Sequence, residues 1–341
     1  MALKMNLYSS VFIFFILLLA GCASVPDRQS SMPQNSEQAP LWITADVSSS
    51  YNEKEYLTAL GEGSSGDSAR SDALNLLTQY FDTKVHSEGL AIRSTINSSF
   101  SSSSEQFISV KSKANLFCVE YDEYYDRIQN RYYSLAFINR LKAFNFVKSR
   151  LENARMLFPQ AYYNSLQKDY LLDKIIGIRH SWSVLPDFYE VYDFARAIMP
   201  ERAKAYEEVD ALAKESVLSF KELCTSVLIK IQGTGDTDLL ENSGIIAELS
   251  NQLTNMGFAV GNSQKANCIA LVEVKSAITE TRETFQTYPE ISIKILEKGK
   301  EKITYTKKLS KVAGFDKETV IRRTNIALTE DIKNSFVNEC F

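Results

Sequence analysis

Histidine is nearly absent from this chain of 341 residues: His86 and His180 are the only two. A histidine-based triad or a multi-histidine metal site is close to excluded on that count. Serine is plentiful but stands in no G-x-S-x-G elbow and no S-x-x-K motif. Gly61-Glu62-Gly63-Ser64-Ser65-Gly66 matches G-x-G-x-x-G, follows an expected strand and precedes an expected helix, with Glu88 further on. On spacing alone a pyrophosphate could sit at that helix N-terminus. The context argues otherwise, because long antiparallel-type strands follow instead of a second β-α-β unit. The glycines therefore read as a tight strand-to-helix turn. Tyr121-Asp122-Glu123-Tyr124-Tyr125-Asp126 offers three carboxylates, oxygen ligands of the kind Ca²⁺ takes, without the alternation and glycine of an EF-hand loop. It reads as a solvated hairpin loop. Carboxylate-only hydrolysis survives any residue count, although no motif points to it. No catalytic residue, cofactor or metal is expected.

The residue with the clearest chemistry is Cys22. Lys4 supplies a positive start, and the apolar run from Val11 to Ala20 is too short to span a bilayer as a stable anchor. Small residues at Ala20 and Gly21 admit a peptidase to the bond before Cys22. Leu19-Ala20-Gly21-Cys22 resembles the bacterial lipoprotein lipobox, whose cysteine sulfur receives a diacylglyceryl group and whose freed amine receives an acyl chain. The resemblance implies a signal peptide at 1–21 and lipid attachment at Cys22. Several buried chains, each contributing ~0.8 kcal/mol per CH₂, would hold the protein on a membrane. Ala23 stands where an aspartate often signals inner-membrane retention, so the expected location is the periplasmic side of an outer membrane. Residues 22–40, rich in Ser, Gln, Asn and Pro, are expected to be a flexible tether.

The formal net charge is −4, and it becomes −5 when Lys4 leaves with residues 1–21. A nucleic-acid surface would need a basic face, so that partner class is set aside. Apart from Cys22 there are four cysteines: Cys118, Cys224, Cys268 and Cys340. An envelope location permits disulfides. A Cys224–Cys268 bridge and buried free thiols stay equally open.

The elements that must position any site follow from periodicity. Tyr56–Leu60 is a strand candidate ended by Gly61. A helix from about Asp67 to Lys84 carries Ala69, Ala73, Leu76, Leu77 and Tyr80 on one face, with Ser64 and Asp67 as caps. Phe107–Tyr121 and Tyr132–Asn139 read as paired strands joined by a loop over Asp122–Asn130, and Ser98–Ser104 as an exposed edge or loop. Residues 142–222 turn helical, broken at Pro159 and Pro186, with Pro200 opening or bending the last helix. Their aromatics (Phe144, Phe146, Phe158, Tyr162, Tyr163, Phe188, Tyr189, Tyr192, Phe194) read as core. Residues 223–341 repeat the logic: a strand at Ser226–Gln232, then a helix at Ile245–Met256 with Gly257 as a left-handed cap. Strands follow at Cys268–Ile278, Glu290–Leu296 and Lys302–Lys311, the last two joined by Glu297-Lys298-Gly299-Lys300. A helix from about Asp316 to Asn338 closes the chain. The fold class is α+β: two two-layer units, each a helix on an antiparallel-type sheet, at 41–141 and 223–341, joined by a helical connector.

Pro40-Leu41-Trp42, Tyr56 through Ser65, the alanines at 69 and 73, and Tyr132 through Arg140 resemble the LPP-twenty lipoprotein family over roughly residues 40–141. The same segment is similar to the N-terminal part of the flagellar assembly protein T. Residues 225–341 look loosely like envelope modules of TolB-like and curli-secretion lipoproteins. The resemblance implies a non-enzymatic envelope lipoprotein that binds partners, such as flagellar or secretion components, and carries over no active site. The competing expectation is a ligand-binding lipoprotein or a hydrolase with a carboxylate-lined cleft between the halves.

Overall fold

The computed structural model describes residues 39–84, 116–235, 244–281 and 284–341. Cys22, His86, Glu88 and Ser98–Ser104 lie outside the described residues, as does most of the strand expected from Phe107. Trp42 sits in a short helical turn, Leu41–Thr44, and is buried.

The first sheet contains β1 (Tyr56–Gly63), β2 (Val119–Asp126) and β3 (Arg131–Asn139), ordered β1-β3-β2 and antiparallel throughout. Helix α1 (Gly66–Lys84) packs on it through Ala69, Ala73, Leu77 and Phe81. Leu76 is exposed, so the buried stripe runs through Phe81 instead. The cap is Ser65, whose Oγ accepts from the Ser68 N–H at 3.2 Å. Gly61 does not end the strand. It stands inside β1 opposite Ser134, and a Cβ there would overlap the backbone of Ala69 and Ala73. At Gly63 a Cβ would lie 2.6 Å from the Ala69 nitrogen. The two glycines share one face of the strand and let α1 approach the sheet on its alanines. Their role is close packing of helix on strand rather than the turn between them.

The expected loop at Asp122–Asn130 is also shorter than its polarity suggested. Asp122 to Asp126 belong to β2, and only four residues remain for the turn. Tyr121, Tyr124 and Tyr125, all half-buried, stand among these carboxylates and give both faces of the strand packing surface.

Four long helices follow: α2 (Arg140–Leu166), α3 (Leu171–Ser181), α4 (Leu185–Ile198) and α5 (Glu207–Thr225), with a single helical turn at Pro200–Ala203 before the last. Asn139 caps α2, its Oδ1 accepting from the Lys142 N–H at 2.9 Å. Pro159 lies inside α2 and does not break it. Phe158 and Tyr162 beside it are fully buried, and their packing outweighs the one backbone hydrogen bond that proline forfeits. Pro186 and Pro200 open helical segments, where a missing N–H is no loss. Seven of the nine flagged aromatics are buried, while Phe146 and Tyr163 are exposed.

The second large sheet is ordered β10-β9-β6-β4-β5, from β4 (Leu228–Gly235), β5 (Ala259–Val260), β6 (Cys268–Lys275), β9 (Glu290–Glu297) and β10 (Lys300–Lys308). It is mixed rather than antiparallel: β4 runs parallel to both β5 and β6, because α6 (Gly244–Asn255) returns the chain across its face. Gly257, at φ +97°, ends the crossover. Lys298 and Gly299 both take positive φ in the β9–β10 turn. A small third sheet of β7 (Thr279–Thr281), β8 (Thr284–Thr287) and β11 (Val312–Gly314) lies beside α7 (Lys317–Asp331), which continues through a π-turn at Ile332–Phe336 to Cys340.

One apolar core runs unbroken from the first sheet through the helices to the second sheet. Phe81 of α1 stacks on Phe194 of α4, with ring centroids 5.3 Å apart. Trp182, fully buried, donates its Nε1–H to Ser216 of α5 at 2.8 Å.

Gly61→Ala should destabilise the protein by about 1–3 kcal/mol or more, since helix and strand must separate to admit the methyl. Urea denaturation checks this. Trp42→Ala should cost a few kcal/mol, in line with large-to-small changes at a buried aromatic, and an unchanged melting temperature would remove Trp42 from the core.

Candidate functional site

The carboxylates that could have held a cation are bound elsewhere. Asp122 accepts from the Tyr51 hydroxyl, Glu123 pairs with Arg70 of α1, and Asp126 Oδ1 accepts from the turn N–H groups of Ile128 and Gln129 at 2.8 and 3.1 Å. Among the described residues no group of three or more His, Cys, Asp or Glu gathers where a metal could be held. His180 is exposed at the end of α3.

The four described cysteines are free thiols. Cys224 and Cys268 are fully buried, and burial pushes each thiol up to about 12. Cys340 is likewise pushed up to about 12, and burial raises Cys118 as well. None has the exposed, electropositive setting of a nucleophile.

The strongest polar arrangement is at the seat of α3. Glu297, at the end of β9, is 1% exposed, the one buried carboxylate among the described residues. Its Oε1 accepts from the Leu171 N–H at 3.0 Å and its Oε2 from the Leu172 N–H at 2.9 Å. These N–H groups open α3, so the carboxylate meets the positive end of the helix dipole. Beside it, Lys302 of β10 reaches Asp173 at 2.7 Å and lies 3.4 Å from the centre of the Tyr170 ring. At the other end of α3, Arg179 is 3% exposed and donates to the Val337 carbonyl at 3.2 Å. Burial lowers its guanidinium to about 10. Helix α3 is thereby fixed to the second large sheet at one end and to the closing helix at the other.

Sequence reasoning passed over Glu297, yet a signal was present. Ile291, Ile293 and Ile295 alternate onto the core face, and the same period of two places Glu297 there. A carboxylate in that register needs donors.

Open clefts among the described residues include two beside the helices. One of about 340 Å³ lies between α2 and the end of α3, lined by Leu157, Gln160, Asn164, His180, Ser183 and Val184. The other, of about 290 Å³, lies between α7 and the chain after β10, with Ser310, Glu330, Asp331 and Asn334 on its walls. Asp331 already accepts from the Tyr305 hydroxyl at 2.5 Å; burial, and then this bond, raises that phenol. Neither cleft holds two buried carboxylates.

No protein-family description matches the chain, and no curated protein matches it. Among solved structures, secreted protein HP1454 from Helicobacter pylori is 15% identical over 82% of this chain and 98% of its own, with a TM-score of 0.30. Lipoprotein GNA1162 from Neisseria meningitidis is 11% identical over 32% of this chain and 99% of its own, with a TM-score of 0.23. Superposition this loose carries no argument about fold or role. Among the described residues no helix is long and apolar enough to cross a membrane.

Glu297→Ala leaves the half-buried Leu171 and buried Leu172 N–H groups without acceptors and should cost about 1–3 kcal/mol, with faster amide exchange at both. Hydrogen-exchange mass spectrometry reads it. Cys224 and Cys268 should resist a thiol reagent at pH 8 in the folded protein, and all four described thiols should react after denaturation without reductant. A Cys224–Cys268 bridge would leave that count two short. Because folding raises these pKa values, the thiols' contribution to stability is whole below their ordinary value of 9.0 and is lost as pH rises toward about 12. Denaturation curves measured between pH 8 and 11 check the sign.

Proposed function

We propose that the protein is a lipid-anchored envelope protein that works by binding other envelope components rather than by catalysis. The observation that carries this reading is the filled interior between the two large sheets. Glu297, the one buried carboxylate among the described residues, is engaged by helix N–H groups, where a hydrolase would need paired, accessible acids. The exterior offers material for contact instead. Phe146, Met156 and Tyr163 on α2 and Leu218 on α5 are each at least half exposed. Anchoring through Cys22 rests on the Leu19–Cys22 motif and the apolar run before it, and placement on the outer membrane's periplasmic side rests on Ala23. Flagellar or secretion machinery, suggested by the LPP-twenty resemblance, is the partner class of this proposal.

Cys22→Ser should abolish incorporation of radiolabelled palmitate and move the protein out of the membrane pellet. Labelling that persists would overturn the anchoring. In-cell cross-linking of the full-length protein should capture one recurring envelope component, with capture weakened by Phe146→Asp or Leu218→Asp. Unchanged capture in both variants would remove these faces from the interaction.

A further inference from the structure

The turn between β2 and β3 breaks an ordinary rule of composition. Arg127-Ile128-Gln129-Asn130 places an isoleucine, 98% exposed, at the outermost point of a hairpin where polar residues belong. Nothing about the turn is loose. Asp126 Oδ1 accepts from two of its N–H groups, Asn130 takes the left-handed conformation at φ +52°, and two tyrosine hydroxyls brace it. Tyr125 donates to Asn130 at 2.7 Å and Tyr133 to Gln129 at 2.9 Å. Behind the tip stands a collar of four half-buried tyrosines. Tyr125 lies against Tyr132 with ring centroids 4.5 Å apart, and Tyr124 is opposite Tyr133 across the ladder. An apolar point backed by tyrosines whose hydroxyls face polar groups is the composition that settles at a membrane–water interface.

We propose that the β2–β3 hairpin tip inserts Ile128 into the lipid bilayer surface, with the tyrosine collar at headgroup level. The proposal rests on the anchoring through Cys22. Nineteen residue-to-residue steps lead from Cys22 to Leu41, which at full extension reach about 63–68 Å. The chain enters β1 at Tyr56, while the tip lies beyond Gly63, which pairs with Tyr132 at the other end of the strand. Seven strand steps put these ends about 23 Å apart, well within that reach. The acyl chains retain the protein, and the tip sets its orientation, holding the first sheet upright on the membrane. Charges around the tip cancel: Arg131 pairs with Glu62 at 2.9 Å, and Asp126 balances Arg127. Insertion therefore depends on the apolar point and not on anionic lipid.

The test uses acylated full-length protein in phosphatidylethanolamine–phosphatidylglycerol vesicles carrying brominated acyl chains. The native Trp42 and Trp182 are buried and give a constant background. Ile128→Trp adds a tip fluorophore, and Met156→Trp adds a control on the exposed side of α2. At least a twofold loss of the added emission in Ile128→Trp, with none in Met156→Trp and no change when phosphatidylglycerol is omitted, is the expected result. Vesicle flotation without selective quenching at 128 overturns the insertion and leaves the anchor standing. Blue-shifted but unquenched emission at 128 seats the tip in a second copy of the protein and also overturns it. Failure of the acylated protein to float overturns the anchoring reading, and the proposal with it.

Discussion

A carboxylate removed from water must find donors or lose its charge, and Glu297 finds two at the first turn of α3. The position of the second large sheet follows from that requirement. With Glu297 held by Leu171 and Leu172, β9 can approach α3 only in one register, and Lys302 then falls between Asp173 and the Tyr170 ring. Arg179 repeats the constraint at the far end of the helix, where a buried guanidinium meets the Val337 carbonyl. Polar groups with so few allowed partners specify an arrangement, while the apolar contacts around them supply most of the energy.

The first sheet is governed by a different constraint, the absence of side chains. Gly61 and Gly63 remove the bulk that would hold α1 away, and Ala69 and Ala73 do the same on the helix. The resulting contact leaves no crevice beneath the Gly61–Gly66 segment in which a nucleotide could lie. A motif with dinucleotide-like spacing thus has its glycines occupied by the protein's own helix. The same reasoning extends to the acids of β2, each bonded to a neighbour in the fold. The side chains of these two motifs are taken up by contacts within the fold.

Periodicity made much of this legible. The helix at 66–84, the β9–β10 hairpin with its Lys298-Gly299 turn, and the cap at Gly257 all follow from local rules, because each depends on residues within a few positions of one another. Errors arose where the deciding partner was distant. Pro159 reads as a break until Phe158 and Tyr162 are seen buried beside it. Asp122 and Glu123 read as loop until Tyr51 and Arg70, which are remote in sequence, are seen to hold them. A parallel pairing of β4 with β6 leaves no mark on either strand by itself.

The sequence by itself determined the α+β alternation, the helical stretch between two strand-rich segments and the scarcity of histidine chemistry, since these need only composition and short-range spacing. It also carried the Leu19–Cys22 motif on which the proposed anchoring rests. Only the tertiary structure decided that Gly61 is a packing position, that all four described cysteines are free and that Glu297 joins sheet to helix. Each of these depends on what stands opposite in space. Glu297 and Leu171 are 126 positions apart, and no local pattern encodes an encounter at that separation.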